Sequence, residues 1–200
     1  MNKIPILLIL SRIVFGVIIV ILSIYQPAYF KVAIISLIFI GLLSDIFDGI
    51  IARRLNISTP LLRRLDSGVD QFFWLAIIGG CYLTCPVFFK NNLIKIAILL
   101  SLEAGCYILS YLKFKKEVAT HAIASKFWTL TLFGVLIQVI ATCNSVVLFT
   151  ICFYIGVATR LEILGILLII RKWTNDIPSI YHAVLIRKGR VIKRNKLFNG

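Results

Sequence analysis

The chain has 200 residues, of which 60% are hydrophobic and 15% are charged, and its formal net charge is +14. Soluble domains are usually about 45–50% apolar, so this composition excludes an ordinary soluble enzyme, a disordered chain and a small disulfide-stapled secreted module. One membrane-spanning helix uses roughly 20 apolar residues, so the apolar content is enough for about six spans. The basic residues lie between apolar stretches, which favours anionic lipid headgroups over nucleic acid as their partners.

Apolar stretches separated by polar or proline-containing turns predict an all-α integral membrane protein with six transmembrane helices. The predicted spans are 4–25, 29–55, 65–86, 91–112, 127–142 and 145–172, and residues 122–126 are a candidate extension of the fifth. Residues 1–173 then form one six-span domain. Residues 174–200 form a basic cytoplasmic tail, in which a short helix is expected from about residue 176 to about residue 186.

Lysine and arginine are distributed unequally between the two ends of the predicted spans. Seventeen of the 22 lie in the termini and loops at one end, three lie at the other end, and Arg12 and Arg160 fall within spans. The positive-inside rule places the basic end in the cytoplasm. We therefore expect an integral protein of the cell (inner) membrane, with both termini and a polar active-site cavity on the cytoplasmic side.

Five cysteines lie in or beside apolar stretches: Cys81, Cys85, Cys106, Cys143 and Cys152. None belongs to a C-x-x-C pair. They are predicted to be small apolar side chains with free thiols.

Four of the eight acidic residues fall in one stretch of 26 residues: Asp45, Asp48, Asp66 and Asp70. Asp45 and Asp48 share one helix face because they are three positions apart, and Asp66 and Asp70 share another because they are four apart. A helical hairpin can bring both faces together at the cytoplasmic end. Four carboxylates make a hard, oxygen-rich site of the kind that holds Mg²⁺ or Mn²⁺ beside a phosphate-bearing substrate.

The face that carries Asp45 and Asp48 continues through Gly49, Ala52 and Arg53. The two small residues leave room for a ligand beside the backbone, and the arginine offers a fork for a phosphate. Two alternatives remain open. One is a proton or ion pathway, and the other is an ion-paired rim in which arginines neutralise the aspartates without a metal. The arginines of such a rim would be Arg53, Arg54, Arg63 and Arg64.

The string Asp45-Ile-Phe-Asp48-Gly49-Ile-Ile-Ala52-Arg53, followed by Asp66-Ser-Gly-Val-Asp70, resembles the motif of the CDP-alcohol phosphatidyltransferase family. The family pattern is D-x-x-D-G-x-x-A-R, about eight residues, and then G-x-x-x-D-x-x-x-D. Every fixed position matches except the second glycine, where this chain has Leu62. In the family that glycine allows close packing or ligand approach near the end of the loop.

This resemblance implies a metal-dependent enzyme of phospholipid synthesis that moves a phosphatidyl group from a CDP-linked lipid, such as CDP-diacylglycerol, to an acceptor alcohol and releases CMP. The four aspartates would hold Mg²⁺ or Mn²⁺, and Asp70 would also be the general base on the acceptor hydroxyl. The residues that would receive the CDP portion are Gly49, Ala52, Arg53 and Thr59. A homodimer is implied by the resemblance alone.

Glycerol 3-phosphate is the expected acceptor, because the resemblance is to a family whose small members often make phosphatidylglycerophosphate, and because Lys126 and Arg160 are candidate contacts for a phosphate. Lys126 lies in Ser125-Lys126-Phe-Trp-Thr129, which is similar to strings in family members. Inositol phosphate, serine, ethanolamine, choline and diacylglycerol stay open as acceptors, as do a non-catalytic scaffold and an ion transporter. Structural alternatives exist for these residues: Lys126 is also explained as a boundary lysine, and Arg160 and Glu103 as partners of charges on other helices. Arg12, which lies within the first span, is a candidate contact for a substrate phosphate. The enzymatic interpretation requires that the four aspartates converge without being enclosed by guanidinium groups.

Overall fold

A computed structural model of the chain describes residues 4–54, 60–116, 118, 123–174 and 177–190, with side chains for all but 4, 5, 49, 52–54, 60–64 and 123. Within these ranges the chain is helical and contains no strand. The helices in chain order are α1 Ile4–Tyr25, α2 Phe30–Arg54, α3 Pro60–Thr84, α4 Pro86–Asn91, α5 Leu93–Phe114, α6 Ile123–Thr142, α7 Val146–Ile169 and α8 Ile180–Arg187.

Five of these helices are long and apolar enough to cross a membrane, as judged over the described ranges. The candidate spans are Ile6–Tyr25, Phe30–Asp48, Leu93–Phe114, Ala124–Thr142 and Val146–Ile169. They support an integral membrane protein. The third predicted span, which corresponds to α3, is not among them, because polar residues such as Asp66, Asp70 and Gln71 lower its mean hydropathy. A sixth span therefore stays a prediction.

The helix boundaries differ from the predicted spans in a few places. α3 begins at Pro60, within the stretch predicted as a polar loop, because proline is well suited to the first position of a helix. The short helix α4 before α5 was not predicted. α7 ends at Ile169, earlier than predicted, because Ile170 adopts extended backbone angles. The tail helix α8 begins at Ile180 rather than near residue 176.

The chain divides into two compact units, residues 1–90 with 136–144 and residues 91–135 with 145–200. In the first unit, α1 packs against both α2 and α3. In the second unit, α7 packs against both α5 and α8. The buried core of the second unit consists of Cys106, Ile163, Ile166, Leu167, Ile170, Ile177 and Ala183.

Glycines let the helices of the first unit approach each other closely. A Cβ at Gly16 of α1 would lie 2.9 Å from Cε1 of Phe72, and a Cβ at Gly80 of α3 would lie 2.8 Å from Oγ of Ser23. Such contacts are typical of small residues between membrane helices. A Cβ added at Gly79, in contrast, would have no described atom within 4 Å. Of these two neighbouring glycines, Gly80 is therefore the one that permits a close approach between helices.

Cys85 and Cys143 form a disulfide within the first unit, with their Cα atoms 5.3 Å apart. The prediction of five free thiols is therefore wrong for these two residues. They follow the last residues of α3 and α6, and they are 58 positions apart in sequence, so no local spacing indicates the pair. The remaining cysteines of the described chain, Cys81, Cys106 and Cys152, are free and buried.

Candidate active site

The acidic residues converge in the first unit at the junction of α1, α2 and α3. α2 stays helical to Arg54, so Asp45 and Asp48 lie on one face of it, as the sequence predicts. Asp66 and Asp70 lie near the start of α3. Ligand oxygens of Asp45, Asp48 and Asp66 all lie within 4.8 Å of one another. The hairpin thus brings carboxylates from both helices to a common point.

The guanidinium of Arg12, from α1, contacts all four carboxylates. Nη1 donates to Asp45 Oδ1 at 2.9 Å and also to Asp70 Oδ1. Nη2 donates to Asp48 Oδ2 and to Asp66 Oδ1, both at 2.5 Å. The Arg12 side chain is fully buried and Asp48 is nearly so, whereas the side chains of Asp45, Asp66 and Asp70 are exposed by 41%, 34% and 33%. The cluster is therefore accessible from one side.

The charges described at this site do not balance, because one guanidinium faces four carboxylates. Two unit charges at 4 Å interact by about 4 kcal/mol at the effective dielectric constant near a protein surface, so the carboxylates repel each other strongly. Further cations would relieve this repulsion. Oxygen donors suit Mg²⁺ or Mn²⁺, and the residues present therefore fit a divalent ion of this type.

The partners of Arg12 differ from the one that was expected. We expected a contact with a substrate phosphate, whereas the described partners of Arg12 are the aspartates. A guanidinium therefore lies among the four carboxylates, and among the described side chains those of Asp45, Asp66 and Asp70 stay partly exposed. The arginines of the alternative rim, at 53, 54, 63 and 64, have side chains outside the described set, so that arrangement stays untested.

The sequence contains a signal for the pairing of Arg12 with Asp45, namely how far each residue lies from the end of its helix. Arg12 lies eight residues after the start of α1, and Asp45 lies nine residues before the end of α2. Helices joined by a short turn run antiparallel, so these positions lie at similar depth. A charged residue within a span is expected to face the interior and to pair. Matching the depths would have indicated the partner.

Hydrogen bonds beside the cluster join α1 to α2. Ser44, the neighbour of Asp45, donates from Oγ to the carbonyl of Leu8 at 2.9 Å. Ser11, the neighbour of Arg12, donates to the same carbonyl at 2.7 Å, and the two hydroxyls are 3.4 Å apart. Serine hydroxyls between membrane helices typically contribute about 1 kcal/mol each. They hold the two charged faces in register.

The predicted donor-binding residues are described only in part. Gly49, Ala52 and Arg53 belong to α2, but their side chains are outside the described set, and Thr59 is not described. Leu62, at the position of the missing motif glycine, lies in the first turn of α3, also without a described side chain. Their roles stay predictions.

The second unit contains an ion pair between a buried arginine and a partly exposed glutamate. Arg160 of α7 pairs through Nε with Glu103 of α5, and its Cζ lies 3.9 Å from the ring centroid of Trp128. This is the pairing with another helix that the sequence left open. Cys106 Sγ also contacts the Arg160 carbonyl at 3.7 Å. Lys126 lies in the first turn of α6, where its side chain is exposed.

These features define a class of protein, a helical membrane protein with an aspartate cluster suited to a divalent ion at one end of a helical hairpin. A comparison with family models matches residues 2–178 to CDP-alcohol phosphatidyltransferase. The chain belongs to this family. No curated protein and no solved structure matches the chain significantly. Members of the family transfer a phosphatidyl group from a CDP-alcohol to an acceptor, and they generally depend on a metal ion.

Proposed function

We propose that the protein transfers the phosphatidyl group of a CDP-linked lipid, such as CDP-diacylglycerol, to glycerol 3-phosphate and releases CMP. Family membership supports the reaction type. The observation that carries the proposal for this chain is the convergence of Asp45, Asp48 and Asp66, whose ligand oxygens lie within 4.8 Å of one another. Such a group of carboxylates is costly beside a membrane unless it binds a cation.

Asp45, Asp48 and Asp66 would hold Mg²⁺ or Mn²⁺, with Asp70, which shares Nη1 of Arg12 with Asp45, as a fourth metal ligand. When bound, such an ion would supply positive charge that stabilises the negative charge of the diphosphate oxygens. Asp70 acts as the general base, and its one-third exposure leaves a carboxylate oxygen accessible to an acceptor hydroxyl. Gly49, Ala52, Arg53 and Thr59 receive the CDP portion, as the motif suggests.

Lys126 and Arg160 are the proposed contacts for the acceptor phosphate. Lys126 is exposed at the start of α6, and Arg160 is held in place by Glu103 and the Trp128 ring. A fixed guanidinium suits a phosphate because its fork matches two phosphate oxygens. Inositol phosphate, serine, ethanolamine, choline and diacylglycerol are the competing acceptors that the assay must include.

The disulfide supports a cytoplasmic site. Asp66 lies 19 residues before Cys85 on α3, which at 1.5 Å per residue is roughly 28 Å, close to the thickness of a bilayer core. Disulfides persist in oxidising compartments rather than in the cytosol. The Cys85 end would then face outward and the aspartates inward, in agreement with the excess of basic residues at the aspartate end. We also propose a homodimer, from family resemblance, which light scattering of the purified protein tests.

The test is CMP release by purified protein supplied with CDP-diacylglycerol and the panel of acceptors, with and without a divalent ion. We expect release only with the ion, and fastest with glycerol 3-phosphate. Asp70→Asn should lower kcat by about 10²- to 10⁴-fold, the usual contribution of a general base, without unfolding the protein. Glu162→Gln is the matched control, because it changes a carboxylate of α7 to an amide outside the cluster.

Two results would contradict the proposal. Wild-type-like turnover by Asp70→Asn would remove Asp70 as the base. No CMP release with any acceptor at saturating ion would refute the enzyme, and an ion flux through vesicles without nucleotide would then favour the transporter alternative.

A further inference from the structure

We propose that Arg12 is an internal counter-ion of the acidic cluster, which holds the cation position in the metal-free protein and is displaced when a divalent ion binds. This inference rests on the proposed function, because it takes the aspartates as the ion's ligands. It assigns to Arg12 a part in regulating that site. Arg12 is a positioning residue, since it acts through the carboxylates.

The two terminal nitrogens of Arg12 bridge the helices as a shared cation would. Nη1 contacts Asp45 of α2 and Asp70 of α3, and Nη2 contacts Asp48 of α2 and Asp66 of α3. Each nitrogen thus joins one carboxylate from each helix. A single guanidinium therefore links α2 to α3 through two pairs of carboxylates. A metal ion in a carboxylate cluster links its ligands in the same way.

The guanidinium and an ion compete for one space. Mg²⁺ binds oxygen at about 2.0–2.1 Å and demands a nearly octahedral set of ligands. The Asp48 and Asp66 oxygens that would serve it already lie 2.5 Å from Nη2. An ion bonded to both oxygens would press against the nitrogen, and the two positive charges would repel each other. Binding of the ion therefore requires the guanidinium to move.

The position of Arg12 satisfies its two terminal nitrogens but not its Nε. Its side chain is completely buried, yet its Nε has no hydrogen-bond partner among the described residues. A buried donor without a partner costs about 1–3 kcal/mol. This cost is borne because the terminal nitrogens serve four carboxylates at once. When a divalent ion takes over those carboxylates, the reason for holding the guanidinium in this position disappears.

The experiment measures Mn²⁺ binding, by the electron paramagnetic resonance signal of free Mn²⁺, and the Tm in detergent with EDTA or with Mn²⁺. Arg12→Gln should lower the Kd for Mn²⁺ by about tenfold or more, because a competitor has been removed and each tenfold change needs only about 1.4 kcal/mol. Its Tm should fall in EDTA, where the carboxylates lose their counter-ion, and should recover in Mn²⁺. Arg12→Lys should be intermediate, since a point charge cannot bridge the cluster.

Arg160→Gln is the control, because it removes the buried, paired guanidinium of the second unit. Its Tm should fall equally in EDTA and in Mn²⁺, and its Kd for Mn²⁺ should equal that of the wild type. A Kd for Arg12→Gln equal to or higher than that of the wild type would overturn the inference, as would no Mn²⁺ binding by either protein. If Arg12→Gln does not fold, the Kd of Arg12→Lys decides in the same way. These readouts need no substrate, so they separate this inference from failure of the transferase reaction.

Discussion

Gly41 determines how closely α2 can approach α3 beside the aspartates. A Cβ at Gly41 would lie 2.6 Å from Cε1 of the Phe73 ring and closer still to its Cζ. Gly41 is four residues before Asp45, and Phe73, which is buried, is three residues after Asp70. Gly41→Ala should therefore push apart the two helix faces that carry the carboxylates.

The expected effect on activity is larger than the effect on stability. The Phe73 ring would have to retreat by roughly 1 Å to restore an ordinary contact of 3.4 Å. Overpacking of this kind costs about 1–3 kcal/mol, and alanine returns about 1 kcal/mol through its helix propensity. The net loss in free energy of unfolding is then about 0–2 kcal/mol. A misplacement of about 1 Å at a reacting centre can lower the rate by about 100-fold, so kcat for CMP release should fall by that order.

Gly79→Ala is the matched control, because a Cβ there would meet no described atom within 4 Å. It should leave CMP release unchanged and leave Tm equal or slightly higher. The double variant Gly41→Ala with Phe73→Leu should recover activity, since the smaller side chain frees the space. Wild-type CMP release and Tm in Gly41→Ala would refute the reasoning, and so would an equal loss in Gly79→Ala.

Three further predictions concern other parts of the chain. Gly156→Ala should lower Tm by an amount that corresponds to about 1–3 kcal/mol. The reason is that a Cβ there would lie 2.5 Å from Trp128 Nε1 and displace the ring that faces Arg160. An unchanged Tm would show that the ring moves freely. Cys85→Ser should lower Tm, since a cross-link over 58 positions contributes up to about 4 kcal/mol to the free energy of unfolding. Reductant should bring the wild type to the same Tm and leave the variant unaffected. Leu62→Gly should keep or raise kcat/KM, because it restores the motif glycine, and loss of all activity would show that the motif register is wrong.

Features that depend on local periodicity were predictable. α1 has the same bounds as the predicted first span, because a long and mostly apolar stretch ends at a proline-containing turn. Asp45 and Asp48 share a face because three-residue spacing in a helix dictates it. The convergence of Asp66 with them follows from the hairpin connection. These features, with the motif, were enough to locate the cluster.

Features that depend on contacts between distant residues were not predictable in the same way. The Cys85–Cys143 disulfide requires the ends of α3 and α6 to meet, which no spacing encodes. Depth along the helices indicates Asp45 as a partner of Arg12, but its contact with all four aspartates also depends on the rotation of α1 relative to two other helices. The start of α3 at Pro60 rather than at residue 65 is a smaller error, because proline suits the first position of a helix.

The pairing of Arg12 with all four aspartates also bears on how the chain enters the bilayer. The positive charge lies on α1, and the last of its four described partners follows 58 positions later. A nascent chain that ends after α1 would present a lone guanidinium to lipid, whereas one that ends after α3 already contains every member of the cluster. The described side chains of the acidic centre are thus all present once α1, α2 and α3 have been translated.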